Sequence, residues 1–174
     1  TKDDLIELCE RIDPIFNIDL IDENSASQEK CQEKIYSLIY TKDVDILFLY
    51  FSGFLYFGES SNRPVDNAWL CPIDAKYENP SGLGLNLDTE ILNNMSNSKA
   101  ENIVMVIDCC NAHAGYDPGK FKIENLYAYL ETLISKHNLT NKLSLFVHCA
   151  NNFEEKENNE KRGIFNQDFN RALD

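Results

Sequence analysis

The residues with the clearest potential for covalent chemistry are two adjacent cysteines that follow a run of apolar residues. The run Asn102–Ile107 leads directly into Asp108, Cys109 and Cys110. A short apolar run of this kind favours a strand buried on both faces, and its end would lie at the sheet edge where active sites are found. Buried cysteines are commonly inert, and a nucleophilic thiol needs a nearby base, usually histidine.

Three histidines are available as that base. His137 lies in the last turn of a predicted helix, where an imidazolium complements the negative helix end. His148 follows the core of a predicted strand, which favours a hydrogen-bonded structural role over a role as a ligand or base. His113 comes three residues after Cys110 in a predicted loop, but nearness in sequence does not ensure the approach of about 3 Å that proton transfer needs.

Length and composition limit the classes of function. The 174 residues correspond to one domain, and 43% of them are hydrophobic, as in a folded globular protein. The net charge is −13, from 16 basic and 29 acidic residues, which argues against nucleic acid and anionic membrane surfaces as partners. The six cysteines include no Cys-x-x-Cys pair, so we expect no zinc ribbon, and we predict no metal and no cofactor. The adjacent Cys109 and Cys110 suit a disulfide framework poorly and a chain of this length does not need one, so we expect reduced thiols in a cytoplasmic protein.

Strands are predicted where apolar residues run together, and helices where they recur every three or four positions. The predicted strands are Phe16–Ile21, Asp45–Phe51, Asn102–Ile107 and Leu143–Val147, with a β-hairpin made by Leu55–Phe57 and Ala68–Leu70. The predicted helices are Asp3–Ile12, Ser27–Tyr40, Leu87–Met95, Ile123–His137 and Gly163–Leu173. This alternation predicts an α/β sheet with helices on both faces, and with its site beyond two strand ends, at Ser52–Phe54 and at Asp108–Cys110.

These two predicted strand ends resemble motifs of the caspase-like cysteine peptidases, in particular metacaspases and paracaspases. The family's histidine motif, aromatic-Ser-Gly-His-Gly, corresponds to Phe51-Ser-Gly-Phe-Leu55, and its Asp-x-Cys motif corresponds to Asp108-Cys-Cys110. Further similar segments follow in the family's order, so that the resemblance covers the chain from about Asp3 to Leu173. These segments are Trp69–Ala75, Leu87–Leu92, Leu143–Ala150 and Gly163–Phe169.

The resemblance implies a caspase-like three-layer α/β/α sandwich with a mostly parallel central sheet, formed by residues 1–174 as a single domain. The family's first strand would precede Asp3 and its last strand would follow Asp174, so we expect these terminal strands to be missing here. Caspase-like domains often form dimers through the last strand. A homodimer or a heterodimer with another caspase-like domain is therefore an expected assembly.

The resemblance also assigns roles to individual residues. Cys110 takes the position of the nucleophile, and Phe54 replaces the family's catalytic histidine. Leu55 follows at the position whose backbone N–H binds the oxyanion in the family. Asp108 takes the position of the acidic pocket that binds an Arg or Lys side chain, and Ala150 ends the strand that carries part of this pocket. The alternative role for Asp108 is that of a carboxylate capping the end of a strand.

The replaced histidine decides between the functions that we consider. Phenylalanine can neither accept the thiol proton nor protonate a leaving amine, so a pseudoprotease that binds a protein or a basic peptide, as an interaction or regulatory module, is expected. The alternative is an active cysteine endopeptidase that cleaves after Arg or Lys, with Cys110 as nucleophile and His113 or His148 as base. A small-molecule-binding α/β domain has less support, because no glycine-rich phosphate loop follows a predicted strand.

Overall fold

A mixed five-stranded sheet dominates the fold, which we describe from a computed structural model. The structure describes residues 25–60, 63–75, 84–111 and 123–150, together with residues 6, 9–11, 18 and 21. The strands are β1 (Ile46–Ser60), β2 (Arg63–Cys71), β3 (Leu85–Asn86), β4 (Asn102–Asn111) and β5 (Leu143–Ala150), in the spatial order β3-β2-β1-β4-β5. The helices are α1 (Gln28–Ile39), α2, which is a π-helical segment Leu87–Leu92 continued by the α-helical turn Asn93–Met95, and α3 (Ile123–Lys136).

The sheet pairs β1 with β4 and β4 with β5 in parallel, whereas β2 is antiparallel to both β1 and β3. Only β2 therefore runs against the other four strands, and the predicted α/β class with a mostly parallel sheet is confirmed. The predicted hairpin is also confirmed, because Leu55 pairs with Leu70 and Phe57 pairs with Ala68.

Strand β1 differs from its prediction, because it does not end at Ser52–Gly53 but continues to Ser60. Its first ten residues pair with β4, and the antiparallel ladder with β2 begins at Phe54. The second ladder therefore takes over as the first one ends, so the glycine does not terminate the strand. Strand β4 likewise runs beyond Ile107 to Asn111. The residues predicted to follow two strand ends thus lie within two strands.

Helices α1, α2 and α3 pack against one face of the sheet, which we call the helix face. It carries alternate strand residues, among them Leu47, Ile103 and Leu143, which are neighbours in register and belong to one buried core with residues of α1, α2 and α3. Both crossovers, β1 to β4 through α2 and β4 to β5 through α3, advance in the same direction across the sheet. Right-handed connections of this kind place their helices on the same face.

Helices α1, α2 and α3 therefore form one layer beside the sheet, and the expected helix layer on the other face stays a prediction. Of the predicted N-terminal helix Asp3–Ile12, residues 6 and 9–11 are described and are helical. Of the predicted strand Phe16–Ile21, residues 18 and 21 are described and are not in a strand. The predicted helix Gly163–Leu173 lies outside the described residues. No described helix is both long enough and apolar enough to cross a membrane.

Helix α1 begins and packs as its sequence predicts. Ser27 is the N-cap, and its side chain accepts a hydrogen bond from the backbone N–H of Lys30. Cys31, Ile35 and Ile39 form the buried stripe that joins the core. The amphipathic pattern therefore predicted both the position of this helix and the side that it buries.

Gly84, directly before β3, is a backbone position that only glycine accommodates well. Its φ is 134°, which side chains rarely adopt, and a Cβ atom there would overlap the carbonyl oxygen of Leu70 and approach Cδ of Pro72. Glycine at this position allows the chain to enter β3 close to β2. Strand β3 then continues directly into α2.

Candidate functional site

The candidate site lies on the face of the sheet away from the described helices, which we call the opposite face. Ser52, Asp108 and His148 are register partners across β1, β4 and β5. Two residues further along these strands, Phe54, Cys110 and Ala150 are register partners in the same way. Parallel pairing therefore brings the two motifs that resemble the caspase-like family to neighbouring positions.

Tyr50, Asp108 and His148 form a hydrogen-bonded group that we call the Asp108 cluster. The Tyr50 hydroxyl donates to Oδ2 of Asp108 over 3.1 Å, and Nδ1 of His148 lies 3.2 Å from Oδ1. An ionised carboxylate can only accept hydrogen bonds, so this contact requires the proton on Nδ1 of His148. The pair thus fixes the orientation of the imidazole, as a carboxylate does in a catalytic triad.

Burial explains why both oxygens of Asp108 have partners. The residue is 1% exposed, and a buried carboxylate without hydrogen bonds is strongly unfavourable. The His148 side chain is 34% exposed, so it connects the buried carboxylate to solvent. Asp108 therefore has the geometry of a carboxylate satisfied within the protein, and a basic side chain of a ligand would have to compete with His148 for it.

Phe54 lies where the resemblance places the catalytic histidine, beside Cys110 in the parallel ladder and beside Cys71 in the antiparallel ladder. Its side chain is 38% exposed and offers no group that can accept or donate a proton. The structure describes the backbone of Cys110 and Ala150 but not their side chains. The other candidate base, His113, lies outside the described residues.

Leu55 has a fully buried side chain that belongs to the core on the helix face. Successive residues of a strand point to opposite faces, so Leu55 does not share the face of Phe54. A role of Leu55 at an oxyanion could involve only its backbone N–H.

Cys109 is separated from the candidate site by the same alternation. It is fully buried in the core, and its thiol donates a hydrogen bond to the backbone carbonyl of His148 over 3.4 Å. This contact links β4 to β5 beside the Asp108 cluster and gives Cys109 a structural role. The adjacent cysteines therefore hold different positions in the fold, although their residue types are the same.

Two other buried thiols lie in surroundings that oppose ionisation. Burial raises the pKa of the Cys71 thiol to about 11, although a hydrogen bond from the backbone of Tyr56 acts in the opposite direction. Burial, and next the negative charge of Asp74, raise the pKa of Cys31. Both are therefore protonated, unreactive thiols at neutral pH.

His137 interacts with an acidic residue of α2 and takes no part in the candidate site. Its Nε2 lies 2.6 Å from Oδ1 of Asp88, and Nζ of Lys136 lies 2.7 Å from Oδ2 of Asp88. Burial alone would raise the pKa of Asp88, but hydrogen bonds and charges from these two residues outweigh it and lower that pKa. The basic end of α3 is thus anchored to α2.

Among the residues that the structure describes, no three His, Cys, Asp or Glu side chains are grouped as metal ligands. Tyr50 is the one member of the Asp108 cluster that the sequence analysis missed. Its position in the sequence could have identified it, because Tyr50 lies two residues before Ser52 and therefore on the same face of the strand.

No protein-family model, curated protein or solved structure matches this chain.

Proposed function

We propose that this chain is a caspase-like domain that has lost its catalytic histidine and acts as a pseudoprotease, that is, as a protein-interaction or regulatory module. The observation that carries the proposal is the register of β1 and β4, in which Phe54 is the neighbour of Cys110. In the family that the sequence resembles, the histidine and cysteine motifs likewise belong to neighbouring parallel strands. A phenylalanine there leaves the thiol without its base.

The proposed partner is a protein or a basic peptide, with no nucleic acid or membrane involved. The net charge of −13 favours a basic partner, and a dimer with another caspase-like domain belongs to the same proposal. The cytoplasm is the proposed location, since Cys31 and Cys71 are free thiols, as expected in a reducing compartment.

One observation favours a second candidate function, an active cysteine endopeptidase that cleaves after Arg or Lys. The imidazole of His148 is oriented by Asp108, which is the arrangement that a general base requires. In this alternative, His148 rather than His113 would serve as the base for Cys110. Asp108 would then orient the base and could not at the same time be the acidic pocket for the substrate.

The deciding experiment measures cleavage of fluorogenic peptides that carry Arg or Lys before the scissile bond. We expect no turnover by the natural chain and no change in Cys110→Ala. Turnover that is lost in both Cys110→Ala and His148→Ala would refute the pseudoprotease and establish the alternative.

A gain of function tests the resemblance itself. The Phe54→His variant returns a base to the family's position and leaves the buried Leu55 unchanged, and we expect it to increase alkylation of Cys110 by iodoacetamide near neutral pH. The matched control is Ile46→His, which adds a histidine at an exposed apolar position of β1, eight residues and about 26 Å before Phe54. Equal labelling in the restored variant and the control would contradict the proposed neighbourhood of the two motifs.

A further inference from the structure

We propose that His148 occupies a cation-binding slot at Asp108 and closes it, so that a guanidinium or ammonium group of a partner binds only when the imidazole moves away. The inference rests on the proposed binding function and names the regulation of the same site. It follows from the contacts, burial and backbone attachment of the Asp108 cluster.

The slot is defined by a carboxylate that is buried at 1% exposure, with Tyr50 on one oxygen and His148 on the other. The two partners differ in kind, because the tyrosine hydroxyl is neutral whereas an imidazole can carry positive charge. His148 is also the more exposed member of its pair with Asp108, with 34% of its side chain accessible. A cation that arrives from solvent at Oδ1 therefore meets the imidazole first.

Displacement of the imidazole would leave the backbone of His148 in place. The backbone of His148 is held in the β4–β5 ladder, and its carbonyl oxygen accepts a hydrogen bond from the Cys109 thiol. A group tethered in this way competes with any free ligand at a high effective concentration. The natural chain should therefore bind small cations weakly, and removal of the imidazole should expose the slot.

Guanidinium is the best-suited ligand, because its planar donors match carboxylate geometry and it is more weakly hydrated than an ammonium group. Tyr50 already occupies the other oxygen, so a ligand would form a single charge-assisted contact unless the hydroxyl also moved. Recognition at this slot would thus favour a positive charge over a neutral group of the same shape.

The test uses the full chain, with methylguanidinium and imidazole as probes and methylurea as the neutral match of methylguanidinium. We expect methylguanidinium, and imidazole at a pH low enough for it to be protonated, to raise the thermal midpoint of His148→Ala and to bind it about tenfold or more tightly than they bind the natural chain. Methylurea should have no effect. A short arginine peptide should behave as the cations do, and its citrulline counterpart should not.

Two control variants make the result specific. His148→Gln keeps a neutral donor in the slot and should show no gain in cation binding. The Asp108→Asn/His148→Ala double variant retains the space left by the imidazole but lacks the negative charge of the carboxylate. If His148→Ala folds only when imidazole is added, this rescue supports the proposal. If the double variant folds and His148→Ala does not, even with either cation, the slot does not accept an external cation and the proposal is wrong.

The outcomes separate this inference from the proposed function. Equal cation binding by His148→Ala and the natural chain, without peptide cleavage, overturns the closed slot and leaves the pseudoprotease standing. Cleavage of peptides by the natural chain overturns the pseudoprotease, whereas a gain of binding in His148→Ala would still support the slot.

Discussion

Removal of His148 tests how strongly the Asp108 cluster stabilises the fold. His148→Ala removes the imidazole contact of a buried carboxylate oxygen, and losing a partner in a fully buried pair costs about 3–5 kcal/mol. Because 34% of the His148 side chain is exposed, water can replace part of the lost contact. We therefore expect the free energy of unfolding at pH 7 to fall by about 2 kcal/mol. The Asp108→Asn variant, which keeps the shape but removes the charge, should lose about 1–2 kcal/mol.

The two effects should not add in the double variant, because each single substitution already breaks the same contact. A coupling free energy of about 1 kcal/mol is expected from a double-mutant cycle. Urea unfolding followed by the fluorescence of Trp69, the chain's one tryptophan and a buried residue of β2, provides the measurement. Ser144→Ala, at an exposed position of β5, the strand that carries His148, is the control and should change the free energy of unfolding by less than about 0.5 kcal/mol. Additive effects of the two substitutions would refute the interaction.

Three further predictions concern the fold and its titratable groups. Gly84→Ala should lower the free energy of unfolding by about 1–3 kcal/mol, because its φ is 134° and a Cβ would overlap a backbone carbonyl. Gly53→Ala, whose Cβ would be crowded only by the side chain of Phe51, should cost less in the same urea unfolding assay, and equal losses would contradict this reasoning. Cys71, whose pKa is raised to about 11, should resist iodoacetamide at pH 8 in the folded chain and should react in urea. Mass spectrometry of the peptide that contains Cys71 measures the labelling. Rapid labelling of the folded chain would contradict the burial of this thiol. The lowered pKa of Asp88 means that its ionised form stabilises the fold above about pH 4, and that this contribution is lost as the pH falls further. Asp88→Asn should therefore reduce the acid dependence of stability between about pH 5 and 2. An unchanged acid profile would show that its contacts with Lys136 contribute nothing.

Helix positions were the most predictable part of the fold. The apolar spacing in α1 and α3 depends on residues within one helix, and the structure confirms both helices within one residue of their predicted bounds. The predicted end of β1 at Gly53 was wrong for the opposite reason. A glycine is a local signal, whereas the continuation to Ser60 depends on β2, which supplies hydrogen-bonding partners from Phe54 onward.

The candidate site was predictable only in part. Asp108 and His148 were both recognised as residues of interest, but 40 positions separate them, and nothing local relates one to the other. Their contact depends on the register of β4 and β5, a long-range property that a single sequence does not display. The register of β1 and β4 makes Phe54 the neighbour of Cys110 in the same long-range way.

The sequence by itself determined which residues share a face within each strand, because side chains alternate with a period of two. It also determined that Phe54 replaces the histidine of the motif that the sequence resembles, and that the chain carries a strong negative charge. Only the tertiary structure decided that the described helices cover one face and that the carboxylate of Asp108 is taken up by Tyr50 and His148. The physical reason is that crossover handedness and strand register arise between distant segments, and that a buried charge then selects its partners from whatever the register places beside it.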